Sequence, residues 1–333
     1  MNTVVKDTFS ALSLGEAKVQ GRVTLLALFG GEDAGPEYLT LPEALAEKLL
    51  TVTERDEDGS VPELRVRNEA ELPVLIIDGE ELQGAKQNRV VNTTILVKEK
   101  SETIIPVSCT EQGRWNYTSE TFADSGVVMA RQVRSRKSRS VSASLVSAQS
   151  YAGDQGEVWD EIDKLHAGLG VYSPTHAMRD AYEANEDAFR DWVQHFPIED
   201  GQRGLLVFLD GQTLGMDLVS RSTAYRHMHK RLLKSYLIGV PTDSNEGKST
   251  SLEHARQFLD RIQALDEQAF PSRGHGTDYR YEGEAQCGSA LVHQDTCIHA
   301  AFFEDRPQGR DRASHEPGLI DLYTRQAMKR RRS

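Results

Sequence analysis

The sequence predicts an α+β fold, with a β-rich first half and a mixed β/α second half packed as one compact unit. Three patterns predict it: short β-branched or apolar runs broken by turn chemistry from Val23 to about Ser108, amphipathic helical spacing concentrated after residue 150, and a return to strand-like runs before Phe303. A single compact domain over 1–303 follows, with the β-rich half at about 1–125, a basic loop at about 131–150, the β/α half at about 155–303 and a polar, partly disordered tail at 304–333.

Arg22 to Phe29 is β-branched and apolar, and the Gly30-Gly31 pair ends it. A short helix is expected around Pro42, with Ala44, Leu45, Ala46, Leu49 and Leu50 as its apolar side. TVTER, ELRVR and PVLIID then read as a meander, with turns at Asp58-Gly59 and Asn68-Glu69, and VVNTTILV and TIIPVS extend it. The segment RQVRSRKSRS sets Arg131, Arg134, Arg136, Lys137 and Arg139 among serines with almost nothing apolar to bury, which predicts an exposed loop.

Past that loop, EVWDEIDKL is helical, and a helix starting at Pro174 with Ser173 as cap and ending at Pro197 aligns Met178, Ala181, Tyr182, Phe189, Trp192 and Val193. Gly204 to Val219 reads as strand, Asp-Gly turn, strand. Tyr225, Met228, Leu232, Leu233 and Tyr236 then recur at helical spacing. Thr250 and Glu253 form a capping-box pattern before an amphipathic helix to about Ala269, and DYRYE, SALVH and TCIHAAFF close the fold as strands. The Leu75–Gly84 stretch echoes Val207–Gly215, both with an apolar run, Asp-Gly, Leu and Gly, so an internally duplicated β-hairpin is a second expectation.

The chain has 333 residues, 39 Lys plus Arg against 51 Asp plus Glu, and a formal net charge of −12. Ordinary apolar and charged fractions exclude collagen-like, mucin-like and wholly disordered classes. No apolar run nears the roughly 20 residues of a spanning helix, and the first residues lack a signal-peptide pattern, so a cytoplasmic protein with no membrane partner is expected. Cys109, Cys287 and Cys297 are too few for a disulfide framework. The acidic total argues against coating nucleic acid, leaving only a weak RNA contact through the Arg131–Arg139 loop as a reading.

Polar residues that could carry chemistry gather in Gly79–Arg89 and Cys109–Trp115. If Gln83 to Val90 is the return strand of a hairpin, Gln83, Gln87 and Arg89 share one face, and Lys86 and Asn88 the other. Such a face suits phosphate or carboxylate, with Arg89 and Arg114 as guanidinium forks. Its plain alternative is a solvated edge strand. Trp115 is able to stack on a base or ribose, against a plain role in packing. Glu80 and Glu111 are candidate acid/base carboxylates, with ion pairs to arginine as their alternative, and His299 is nominated as a third catalytic group against a hydrogen-bonded strand histidine. Cys109 without a neighbouring His reads as a core thiol, and His293, Cys297 and His299 lack metal-ligand spacing, so no metal is expected. No P-loop, GxGxxG, GxSxG or HExxH occurs, and no cofactor is assigned.

Gly79-Glu80-x-x-x-Gly84-x-x-Gln87-x-Arg89, followed about twenty residues later by Cys109-x-Glu111-x-Gly113-Arg114-Trp115, resembles the ARG and rhodanese-phosphatase-superfamily-associated protein domain, a bacterial family. Gln155-Gly156-Glu157-Val158-Trp159, Ser173-Pro174-Thr175, Gly211-x-x-x-Gly215-x-Asp217, Leu232-Leu233-x-Ser235-Tyr236 and Ala290-Leu291-Val292-His293…Ile298-His299 are similar to its later blocks. The resemblance implies a link to ADP-ribosylglycohydrolases and rhodanese- or phosphatase-type enzymes. From it comes the expectation of an enzyme processing ADP-ribose or another phosphorylated nucleotide, its reaction unassigned. A non-catalytic nucleotide- or RNA-binding sensor acting on a partner enzyme is the alternative. In either case Gln83, Lys86, Gln87, Arg89, Arg114 and Trp115 bind ligand.

Overall fold

Asn2 opens the first helix by accepting hydrogen bonds from the Val4 and Val5 N–H groups, so α1 runs Thr3–Ser10 and is followed by β1 (Ser13–Leu14), β2 (Lys18–Gln20) and β3 (Val23–Phe29). The structure is a computed structural model that describes residues 1–31, 33, 35–56, 62–242, 247–248 and 250–305. The expected Asp58-Gly59 turn and nearly all of the expected tail lie outside those residues. β4 (Leu39–Thr40) runs directly into α2 (Leu41–Ala46), where the Glu43 carboxylate accepts from both the N–H and the hydroxyl of Thr40 and Pro42 sits in the first turn. Next come β5 (Leu50–Glu54), β6 (Glu63–Asn68), β7 (Val74–Ile76), β8 (Glu80–Gly84), β9 (Arg89–Val91), β10 (Ile95–Val97), β11 (Ser101–Cys109) and β12 (Phe122–Val128). The second half comprises α3 (Arg131–Ala148), α4 (Gln155–Leu169), α5 (Met178–Glu183), α6 (Glu186–His195), β13 (Gln202–Leu209), β14 (Gln212–Val219), α7 (Ser222–Leu237), α8 (Leu252–Gln263), β15 (Asp266–Pro271), β16 (Thr277–Glu282), β17 (Gln286–His293) and β18 (Thr296–Glu304).

These strands form an α+β arrangement of three sheets. The largest is antiparallel in the order β1-β3-β13-β14-β18-β17-β16-β15, with β2 also paired to β3. A six-stranded antiparallel sheet runs β12-β8-β9-β11-β6-β5, and β10-β7-β4 forms a small mixed sheet in which β4 and β7 are parallel. Period-two alternation along β13 explains the large sheet's two apolar faces: Leu205, Val207 and Leu209 face one core, shared with Val133 of α3, Val158 of α4, Trp192 of α6 and Tyr225 of α7. Leu206 and Phe208 face the other, shared with Phe9 of α1 and Phe258 of α8. Leu50, Val52, Leu64, Val66, Leu82, Val91, Ile105 and Val107 give the six-stranded sheet its own apolar face. All three cysteines are buried and free.

The basic segment overturns the loop expectation. Residues 131–148 form one helix in which Arg131, Arg134 and Lys137 are buried. Low apolar content did not leave it in solvent because its cations are paired by carboxylates far away in the chain: Arg131 with Asp305, Arg134 with Asp78 and Asp217, Lys137 with Asp78, and Arg139 with Glu282. Of the interleaved serines, Ser140 and Ser142 return their hydroxyls to the helix itself, Ser142 to Ser138 O at 3.1 Å, whereas Ser135 donates to the Asp305 carboxylate. Of the five cations named from the sequence, Arg136 and Arg139 stay half-exposed.

Four further readings change. Asp210-Gly211 is a two-residue hairpin turn with both φ angles positive (52° and 76°), joining β13 to β14. Its echo at Asp78-Gly79 is no hairpin, because β7 pairs with β10 and β4 whereas β8 pairs with β12 and β9. There Gly79 (φ 88°) passes the chain between two sheets beneath Arg134, whose Cδ would stand 3.0 Å from an added Cβ. Residues 174–197 hold two helices: Ser173 Oγ accepts from Ala177 N at 2.8 Å in a turn before α5, rather than capping a helix at Pro174. Ser251 caps α8, which ends at Gln263, and Asp266–Pro271 is the edge strand β15. Finally, Gln83 to Val90 is interrupted, with residues 85–88 leaving the ladder between β8 and β9.

Candidate functional site

The two polar segments converge at the end of the six-stranded sheet. Arg89 lies opposite both Leu82 on β8 and Cys109 on β11, which puts all three side chains on the sheet's apolar face. Glu54 ends β5 in the same inward register as Leu50 and Val52, and it meets Arg89 from the far edge. Leaving the ladder at residues 85–88 turns Lys86 and Gln87 toward this corner.

Arg89 is fully buried, and its fork is only partly used. Nη1 donates to Gln87 Oε1 at 2.8 Å, Nη2 stands 3.9 Å from Glu54 Oε1, and neither Nε nor Nη2 has a hydrogen-bond partner. Glu54 accepts weakly at Oε1 from Lys86 N (3.4 Å), while its buried Oε2 accepts nothing. Above them lie two aromatic rings. The Trp115 centroid is 5.7 Å from Arg89 Cζ and 5.5 Å from Lys86 Nζ, and the Tyr117 centroid is 5.1 Å from Lys86 Nζ. Trp115 is 46% and Tyr117 54% exposed, a wet aromatic roof over a buried charge pair. Cys109 lies below, its thiol pKa raised by burial, which suits a core thiol and not a thiolate nucleophile.

The remaining nominated residues lie in other surroundings. Arg114 knits the corner together, donating to Glu111 Oε2 (2.8 Å), Ala85 O (2.8 Å) and Asn88 Oδ1 (3.0 Å). Glu111 is held in turn by Thr175 Oγ1 at 3.0 Å and Asn88 N at 3.3 Å, and Gly113 N donates to Thr175 O. Gln155 pairs with both backbone groups of Cys109, mimicking a strand at 2.7 and 2.9 Å. Arg114 and Glu111 thus form a latch that fixes the Trp115 segment, with their hydrogen-bonding capacity already spent. Gln83 is exposed and accepts from Arg179.

Glu80 and Glu81 point into the interior on successive positions of β8. Burial raises both carboxyls to a pKa of about 7. Glu80 Oε2 accepts from Ile77 N, with Arg231 3.9 Å from Oε1, and Glu81 accepts from Thr110. His299 lies in a separate buried network: Nδ1 is 2.7 Å from Thr94 Oγ1, and Nε2 donates to Asp217 Oδ1 at 3.1 Å. Asp217 also takes Arg134 and the Tyr236 hydroxyl, and Arg134 links it to Asp78, which Lys137 also engages. Opposing cations hold Asp78 and Asp217 below the usual carboxylate range despite burial, and burial lowers Lys137 to about 8. Among the described residues no cluster of three or more His, Cys, Asp or Glu is arranged to hold a metal, and no helix is long and apolar enough to cross a membrane.

Sequence reasoning missed Glu54, Tyr117 and the acids of this network. The signal for Glu54 is in LTVTE, whose alternation puts a carboxylate where Leu50 and Val52 face the core. Asp78 and Asp217 gave no such signal, since their partners Arg134 and Lys137 come from a segment read as loop.

A family model described as the ARG and Rhodanese-Phosphatase-superfamily-associated Protein domain matches residues 11–303. No curated protein and no solved structure matches the chain.

Proposed function

We propose, from the premise that this chain belongs to the ARG and Rhodanese-Phosphatase-superfamily-associated Protein domain family, that it binds a phosphorylated nucleotide of ADP-ribose type at the corner roofed by Trp115 and Tyr117. The observation that carries the reading is the buried Arg89, with two N–H positions lacking acceptors beneath two half-exposed aromatic rings. Aromatic faces suit a planar base, and Lys86 and Arg89 supply positive charge for phosphate. Ligand reaches Arg89 once Trp115 swings aside, and the ring then finds a new partner in the base. The resemblance seen in the sequence implies a link to ADP-ribosylglycohydrolases and rhodanese- or phosphatase-type enzymes, which is why the ligand is placed in that chemical class.

Of the nominated acid/base groups, Glu111 and His299 are occupied by structural partners, so binding is the primary reading and suits a sensor acting on a partner enzyme. Processing of the bound ligand is the second reading, favoured by Glu54, whose open carboxylate oxygen lies in the same corner. Purified protein incubated with ADP-ribose and nucleoside diphosphates should show a ligand-dependent rise in Tm. Trp115→Ala should weaken that binding by about 1–3 kcal/mol, as for loss of one base stack. Absence of any thermal shift with every nucleotide tested sinks the reading. Product seen by mass spectrometry, abolished in Glu54→Gln, replaces the sensor form with the processing one.

A further inference from the structure

We infer that the Glu54–Arg89 pair is a ribose-reading element, which makes the ligand class ribonucleotides rather than deoxynucleotides. This rests on the reading of the corner as a nucleotide site and adds to it the part of the ligand that Glu54 recognises. Glu54 is buried at the floor, with Oε2 accepting no hydrogen bond, and Arg89 Nη2, 3.9 Å from Oε1, donates none. The open Oε2 and the open Arg89 donors belong to one ion pair whose nearest atoms, Nη2 and Oε1, stand 3.9 Å apart, and a group that both donates and accepts serves both partners. A hydroxyl does both; a phosphate oxygen beside Glu54 only accepts and meets the carboxylate's charge. Two adjacent hydroxyls, as in a ribose 2′,3′-diol, satisfy both groups, whereas a deoxyribose leaves a buried carboxylate oxygen unpaired, the costly case.

The remaining parts of such a ligand fall into place around the diol. With the ribose on the floor, the base extends to the Trp115 and Tyr117 faces. The 5′-phosphates extend along the Lys86 side, where Nζ stands 5.5 Å from the Trp115 centroid and 5.1 Å from that of Tyr117. Glu54 acts here as a binding residue.

Binding of ADP, 2′-deoxy-ADP and 2′,3′-dideoxy-ADP to the full chain tests this by calorimetry. The expected result is affinity for ADP, a weaker affinity for 2′-deoxy-ADP and a loss of about tenfold or more for dideoxy-ADP, in the range expected for hydrogen bonds to a charged group, whereas 2′-deoxy-ADP binding as tightly as ADP overturns discrimination against deoxynucleotides. In Glu54→Gln, ADP should weaken toward the dideoxy value and the discrimination should shrink. ADP and dideoxy-ADP binding within twofold of each other to the unaltered protein overturns the ribose inference while leaving the nucleotide reading intact. No binding of any of the three overturns both. Since the comparison of ligands uses the unaltered chain, it decides the matter even if Glu54→Gln fails to fold.

Discussion

A carboxyl group held at about pH 7 by burial is a cost of folding above that pH, and β8 carries two in succession. For Glu80 the folded value lies above the unfolded value of 4.5, so the fold prefers the protonated form. Its contribution is complete below pH 4.5, falls away as pH rises from 4.5 to about 7, and stays lost above. Glu80→Gln keeps the acceptor for Ile77 N and removes the ionisation. The Tm of Glu80→Gln minus that of the unaltered chain should therefore be more positive at pH 8 than at pH 5, and an equal difference at both would refute this. Much of the site was legible at this scale: a Gln and Arg two apart beside a strand end, and an Arg-Trp pair twenty-five residues on, do meet. Their division of labour was not legible. Arg114 and Arg89 look equivalent in sequence, and only the folded chain shows that one is spent on backbone carbonyls while the other keeps open donors.

Among the elements, α3 shows why periodicity read some helices and missed another. α7 and α8 bury their own apolar stripes, so Tyr225, Met228, Leu232 and Phe258 reveal them locally. α3 buries cations, and its reason to be helical lies in Asp78, Asp217, Glu282 and Asp305, invisible to any local window. The segment expected from its sequence to be an exposed loop should resist protease. In limited trypsin digestion, cuts after Arg134 and Lys137 should appear only with loss of the whole fold; early cleavage there, with other sites intact, would refute the helix's burial. The same charges make the helix vulnerable to substitution. Arg134→Met should destabilise by about 3–5 kcal/mol, because it takes from the buried network the cation that Asp78 and Asp217 share, leaving Asp78 with Lys137 alone. A denaturation midpoint within error of the unaltered protein would show the network to be dispensable.

Across the whole molecule, the largest sheet is not the property of either half. β3, from the first thirty residues, lies between β1 and β13, and it contributes Val23 and Leu25 to the apolar cluster on one sheet face and Leu26 and Leu28 to that on the other. Arg134 adds a second tie, joining Asp78 of the β-rich half to Asp217 of the second half within one buried network. Cutting the chain near residue 150 therefore leaves the second half with β13 as a bare apolar edge and the first half with β3 unpaired on that side, an arrangement prone to aggregation. Neither fragment should fold alone. Co-expressed, the two should reassemble, because the cut falls beyond α3 at Gln149-Ser150 and leaves every ladder intact. The intact chain should unfold in one cooperative transition by circular dichroism and tryptophan fluorescence, with Trp115 reporting the corner and Trp192 the core. Separate transitions from the two probes, or a soluble, cooperatively melting fragment 151–333, would show that the halves are independent domains and that the β3–β13 pairing does not hold them together.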